Sequence, residues 1–373
     1  PGLLAAFLLV LLWNTSADLL KPLRLIGPLI VLLASGSRTS LATVAVAMVV
    51  SILIARFSES GSSSDPAERS YRPGLAVAYG VPLIWAAAGS AIVLGAAHLL
   101  PMGSLAFRVA ILCALFGALA VTALTFAFEN TLEAGGLVKR SLRFPVALAA
   151  AWWVGGTYAW WFQAVRPEVY ALQAALTCIG IERLLRVSLS QRGGDVRPLY
   201  QGALALGLAL ANHHYLALLA LLPALWLLPG VWRSFGGKPF AWSLAFVGAG
   251  LATYLYLPIR ASAGPYLNLG DPSSPGRFWW VISAQAFQKS VSPDAVAPFG
   301  ERLADVLVVT GEDLHPALLL VSLLGAYFML RVGSTRKYGL FWLTLWLVYA
   351  LGRASIGFVH GNPDAIAYFM LSY

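Results

Sequence analysis

Charge is scarce in this chain. Asp, Glu, Lys and Arg make up 11% of its 373 residues, under half of the roughly 25% that a soluble domain carries, and the shortage excludes an ordinary soluble fold. Cysteine is almost absent. Cys113 and Cys178 lie in separate apolar stretches with neither metal-ligand spacing nor a disulfide framework, which leaves both as packing residues. There is no Gly-rich nucleotide loop, no nucleophile elbow and no cluster of metal ligands, so neither a soluble cofactor nor a metal ion is implied.

What the chain does have is hydrocarbon. Hydrophobic residues reach 59%, and apolar runs of the length a helix needs to cross a bilayer recur throughout. The expected fold is all-α, a polytopic membrane bundle of about 10–12 transmembrane helices. Spans are expected at roughly 2–13, 23–34, 40–57, 74–100, 104–128, 145–165, 169–187, 199–212, 214–230, 240–258, 316–331 and 338–352. These divide the chain into a multi-pass region at 1–260, a non-cytoplasmic loop with an interfacial helix at 261–315, and further spans at 316–373. The pattern begins at Pro1 and stops at Tyr373 without a cleavable signal in view, so a fragment is expected.

The net charge of +9 would suggest nucleic acid in a soluble protein, but here it sits in short loops between spans. From the middle onward "GGLVKRSLR", "ERLLRVSLSQRGGDVR", "VWRSFGGK" and "RVGSTRK" occupy every second boundary, the positive-inside pattern. Charge therefore reports topology, with Arg140, Arg192 and Lys337 on the cytoplasmic face and the bilayer, not nucleic acid, as the partner. The opposite loops, "FQAVRPEVY", "ANHHYL", "YLPIRASAGPYLNLGDPSSPGRFWW" and "VHGNPDAIAYF", collect the unusual polar residues of the second half. Polar groups at membrane depth persist only where protein or a wet cavity receives them, which marks this face as functional.

Each candidate has a bland reading beside a sharp one. Arg166 and Glu168 flank Pro167, which suits the first turn of a helix whose dipole Glu168 complements; alternatively the acid positions a polar substrate. Asn212, His213 and His214 interrupt an apolar stretch. Adjacent histidines face different sides of a helix and make a poor metal site, so they are either an interfacial cap or hydrogen-bond partners of a phosphate or sugar hydroxyl. Arg260 either snorkels or grips phosphate with its fork. Asp271 and Asp364 precede or follow Pro and are turn-formers or functional carboxylates.

Taken in order, "MGSLAFRVAILCALFGALAV", "WWFQAVRPEVYALQ", "GLALANHHYLALLALLPAL", "YLYLPIRASAGPYLNLGDP" and "GNPDAIAYFMLSY" resemble a bacterial multi-pass family once catalogued only as a domain of unknown function. Its eukaryotic relatives are transmembrane protein O-mannosyltransferases. The resemblance covers residues 101–373 and implies the GT-C glycosyltransferase superfamily, whose members transfer a sugar from a polyprenyl-phosphate carrier on the non-cytoplasmic face. It implies a GT-C-like bundle, a polyprenyl-phosphate-linked sugar as donor, and a protein or glycan acceptor, with protein Ser/Thr O-mannosylation as the type. The location implied is a bacterial inner (plasma) membrane with the site on its periplasmic or extracellular face. Glu168 and Tyr170 fall on the family's acidic "EVY" site, Asn212 and His213 on its Asn-His site, Arg260 on its "PIRA" site, and Asp364 and Tyr368 on its closing acidic-aromatic motif. Glu168 and Asp364 are thus the catalytic candidates, and Arg166, Tyr170, Asn212, His213, His214, Arg260, Asp271 and Tyr368 the substrate-binding ones.

The family also carries an Asp-Ser-Gly-Glu type motif in its first external loop, the expected general base, followed by a His-Pro-Pro-Gly turn. This chain has "ESGSSSDPAERSYRPGLAVAYGVPL" there, with Glu59, Asp65 and Glu68 as poor substitutes. Two alternatives to a glycosyltransferase stay open: a transporter in which Glu168, His213 and Arg260 form a proton or anion path, and a non-catalytic membrane relative, which the missing acidic motif favours.

Overall fold

A computed structural model describes residues 103–136, 138–190, 194–266, 268–285, 298–314, 316–356 and 364–370. The spans expected before residue 101, the acids Glu59, Asp65 and Glu68, and Arg192 lie outside the described residues. Within them the fold is all-α. The helices are α1 (Leu105–Gly135), α2 (Arg140–Gly155), α3 (Tyr158–Val165), α4 (Tyr170–Leu189), α5 (Arg197–Ala224), α6 (Leu228–Phe235) and α7 (Gly237–Leu251). A 3-10 turn at Ala252–Leu255 leads into α8 (Tyr256–Ser262), followed by α9 (Pro275–Ile282), α10 (Phe299–Leu314), α11 (Pro316–Arg331), α12 (Arg336–Ser355) and α13 (Asp364–Ala367).

Local chemistry sets several boundaries. Ser104 caps α1 by accepting the Phe107 N–H, and Gly136, at φ 64°, closes it by donating to the Leu132 and Glu133 carbonyls. The expected span 145–165 is broken at Gly155–Thr157 into α2 and α3. Arg166 is extended (φ −87°, ψ 139°) because Pro167 follows it and disfavours the helical region. Since α4 starts only at Tyr170, Pro167 lies outside its first turn, and the first-turn reading of Pro167 is corrected.

The largest departure from simple helix counting is in α5. His213 has non-helical angles (φ −153°, ψ 86°) inside what passes for one 28-residue helix. Cross-helix contacts show that the chain reverses there. Before it, the Gly202 backbone lies beside Arg183 of α4 and Asn212 bonds Gln173, so this half runs antiparallel to α4. After it, Tyr215 donates to the Gly352 carbonyl and Trp226 to Thr344, so the chain descends along α12. By length and composition alone three described helices could cross a membrane, among them Arg197–Ala224 taken as one, and a fourth if α10 and α11, bent by 103°, count as one span. The contacts instead divide α5 at the place where the apolar pattern predicts two spans, 199–212 and 214–230.

The same contacts order the bundle ends. At one end lie Cys113, whose thiol meets the Glu168 carbonyl, Asn212, Tyr215 and Gly352. At the other, Ser188 bonds Tyr338 and Trp342 bonds Thr131. From Tyr338 to Gly352 the rise along α12 is about 21 Å. The basic loops near Lys139, Arg197 and Lys337 therefore gather at one end and the aromatic-polar loops at the other.

Packing is inverted relative to a soluble core. Small residues such as Ala120, Ala123, Ala127, Ala174, Ala175 and Cys178 line the contacts between helices, while Leu218, Leu244, Leu320 and Phe328 point outward. Small side chains let backbones approach where lipid supplies no hydrophobic drive between helices. Trp152, Trp153, Tyr158 and Trp161 stand exposed beside the polar end, in the manner of an aromatic belt. The chain is an integral membrane protein.

Candidate functional site at the polar end of the bundle

The stretch "FQAVRPEVYALQ" carries a buried glutamine at its second position and another at its last, Gln163 on α3 and Gln173 on α4, exposed by 0% and 1%. Between them the chain turns from α3 into α4 and presents Arg166. Its guanidinium reaches Gln163 Oε1 at 3.3 Å and Asp364 Oδ1 at 3.2 Å, and lies 3.8 Å from Glu168 Oε1. It also lies over the Phe162 ring, 5.2 Å from the centroid. Glu168 and Asp364 thus share one cation. Asp364 is hydrogen-bonded to it, while Glu168 is beyond hydrogen-bond reach and exposed.

α5 supplies the second half of the cluster. The Asn212 amide donates to the Val169 carbonyl at 3.1 Å and to Gln173 Oε1 at 3.0 Å, and Gln173 passes a bond on to Thr177 at 3.3 Å. Both amide hydrogens of Asn212 are committed, so its remaining capacity toward a ligand is its carbonyl oxygen. At the chain reversal, the His213 ring lies 5.8 Å from Tyr170 and 6.0 Å, edge-on, from Tyr368, with His214 at 6.4 Å and Tyr215 5.9 Å from Tyr368. Burial, then the neighbouring Tyr215, pushes the Tyr368 phenol above its ordinary range, and it is a neutral hydroxyl.

The structure therefore gathers Arg166, Glu168 and Asp364 in one set of contacts and Tyr170, His213, His214 and Tyr368 in another, with Asn212 tying α5 to Val169 and Gln173; the two sets adjoin along residues 166–170 and 364–368. Arg260 is placed differently. It is exposed at the end of α8, six residues beyond Tyr254, whose hydroxyl binds the Leu210 carbonyl, and no contact links it to the cluster among the described residues. Asp271 is also exposed; it adopts a positive φ of 41° and accepts from Asn268 at 2.9 Å, the geometry of a turn-former. An apolar groove lined by Phe128, Thr131, Met329 and Trp342 lies toward the opposite end and holds none of these residues.

Several members escaped the reading of the sequence. Gln163 and Gln173 were signalled only by polarity inside apolar helices. Asp313, near the end of α10, accepts the backbone N–H groups of both Tyr158 and Ala159, capping α3 from across the fold where Thr157 makes no side-chain cap. Arg353, at the end of α12, donates to the Ile356 carbonyl and lies over the Phe369 ring.

Known proteins resemble this chain in sequence. A family model for the protein O-mannosyl-transferase TMEM260 N-terminal domain matches residues 80–231, a range that includes Arg166, Glu168, Tyr170 and Asn212–His214. The chain is related to the eukaryotic protein O-mannosyltransferases. Protein O-mannosyl-transferase TMEM260 of Mus musculus is 28% identical over 225 residues, 58% of this chain and 29% of that protein. The chain thus spans under a third of that relative's length. No solved structure matches. Arg260, Asp271, Asp364 and Tyr368 lie beyond the range matched by the family model.

Proposed function

We propose that the polar end of the bundle is the active site of a glycosyltransferase that moves a sugar from a polyprenyl-phosphate donor to a hydroxyl acceptor, of the protein O-mannosylating type, on the non-cytoplasmic face of a bacterial inner membrane. One observation carries the reading: Glu168 and Asp364, 196 positions apart, converge on Arg166 beside Asn212 and His213. The relationship to O-mannosyltransferases supports it.

In this reading the acceptor oxygen bonds to the anomeric carbon while the carbon–oxygen bond to phosphate breaks, its electron pair leaving with the phosphate. The acceptor proton must go to a base. Asp364 is engaged by Arg166, whereas Glu168 keeps lone pairs for an incoming hydroxyl, so Glu168 takes the proton and Asp364 holds Arg166 in place. Charge developing on the departing phosphate calls for fixed donors, a task for His213 and, from its exposed position, Arg260. A transporter would favour a path of ionisable groups through the bilayer; here the grouped candidates lie at one end.

Membranes containing the chain, incubated with a radiolabelled polyprenyl-phosphate sugar and an acceptor peptide, should transfer label, and Glu168→Gln at equal expression should reduce transfer by at least about a hundredfold, the scale of general-base catalysis. Transfer no greater than in membranes lacking the chain would sink the proposal.

A further inference from the structure

His213 has two structural duties, and the first dictates the second. The descending half of α5 starts at this residue, and its extended backbone (φ −153°, ψ 86°) is that of an N-cap. The Leu216 N–H, three positions on, donates to His213 Nδ1 at 3.4 Å. A backbone N–H can only donate, so Nδ1 must present its lone pair, and a neutral imidazole then carries its proton on Nε2.

Two neighbouring donor side chains are already engaged. Asn212 spends both amide hydrogens on Val169 and Gln173, and Arg166 is engaged by Gln163 and Asp364. His213 Nε2–H meets no acceptor among the described residues, while the ring is held between Tyr170 and Tyr368.

Resting on the glycosyltransferase reading, we propose that His213 is a fixed hydrogen-bond donor, its Nδ1 committed to capping the descending helix and its Nε2–H directed to an acceptor oxygen of the lipid-linked sugar phosphate, so that it serves neither as base nor as metal ligand. The oxygen belongs either to the phosphate or to the sugar, and the two sources are separable by experiment.

Two substitutions divide the duties. His213→Asn retains a side-chain oxygen at capping distance but cannot reach the Nε2 position; His213→Gln places an amide nitrogen near that position but caps poorly. Full-length chain in nanodiscs is tested for binding to polyprenyl phosphate and to polyprenyl-phosphate mannose, with thermal unfolding recorded alongside. His213→Asn should unfold near the wild-type temperature yet bind about tenfold more weakly, the equivalent of one hydrogen bond. His213→Gln should unfold earlier yet bind within about threefold of wild type. A loss seen equally with both probes assigns the phosphate oxygen; a loss confined to the mannosylated probe assigns the sugar. Wild-type binding by His213→Asn would overturn the donor role and leave a cap alone.

The tautomer is read without any substrate from the nitrogen NMR shifts of histidine-labelled protein, with His213→Asn identifying the signal. A protonated Nδ1 overturns the inference directly. A wild type with Nε2–H that binds neither probe would sink the glycosyltransferase reading and the ligand contact with it, while the cap stands.

Discussion

Arg166 and Asp364, 198 residues apart, meet at 3.2 Å, and this bond fastens the last described turn of the chain to the bend between α3 and α4. The two side chains are 21% and 40% exposed, so water screens the pair and its worth is that of a partly exposed ion pair, about 0.5–1 kcal/mol. A double-mutant cycle with Arg166→Gln and Asp364→Asn, read by thermal unfolding in detergent, should return a coupling of that size. Additive effects would show that the contact holds nothing together.

Asp313 tests whether α10 organises the site. It supplies the cap that Thr157 does not give to α3, the helix bearing Gln163 and leading to Arg166. Losing a cap typically costs about 0.5–2 kcal/mol. Asp313→Ala should lower stability by that amount and reduce sugar transfer, while Asp313→Asn, which keeps one acceptor oxygen, should lie between. Unchanged unfolding and transfer for Asp313→Ala would dissociate α10 from the site.

Gly207 and Gly250 are pressed backbone to backbone. A Cβ on Gly207 would stand 2.2 Å from the Val247 carbonyl oxygen, and one on Gly250 would lie 2.5 Å from the Gly207 carbonyl carbon. Backbone cannot rotate away, so Gly207→Ala must separate α5 from α7, at an overpacking cost of about 1–3 kcal/mol. Detergent unfolding measures it, with Gly248→Ala, where nothing lies within 4 Å of the added methyl, as the benign comparison. Equal unfolding of the two variants would contradict this packing.

Arg260 offers a test of the phosphate fork away from the buried cluster. It is exposed at the end of α8, so Arg260→Lys should leave unfolding unchanged. If its guanidinium grips the donor phosphate through two bonds, lysine keeps the charge and loses the fork, and transfer at limiting donor should fall by the equivalent of about 1.5–3 kcal/mol. Equal rates across donor concentrations would make Arg260 an interface anchor.

Much of this protein was legible in its residues. Scarce charge and recurrent apolar runs determined an all-α membrane bundle, because in hydrocarbon a chain must satisfy its backbone hydrogen bonds internally. The spacing of basic loops determined which loops share an end, and the interruption of an apolar stretch by Asn212–His214 marked where α5 turns back. Those signals are local and periodic. Tertiary structure alone decided who meets whom: that Asp364 comes to Arg166, that Asp313 rather than Thr157 caps α3, that Asn212 spends its amide on α4, and that Arg260 stands apart from the cluster. Such pairings depend on how helices cross and on where the chain re-enters after loops of any length. Neighbouring residues carry no record of a partner more than a hundred positions away; only the packed bundle brings the two within hydrogen-bonding distance.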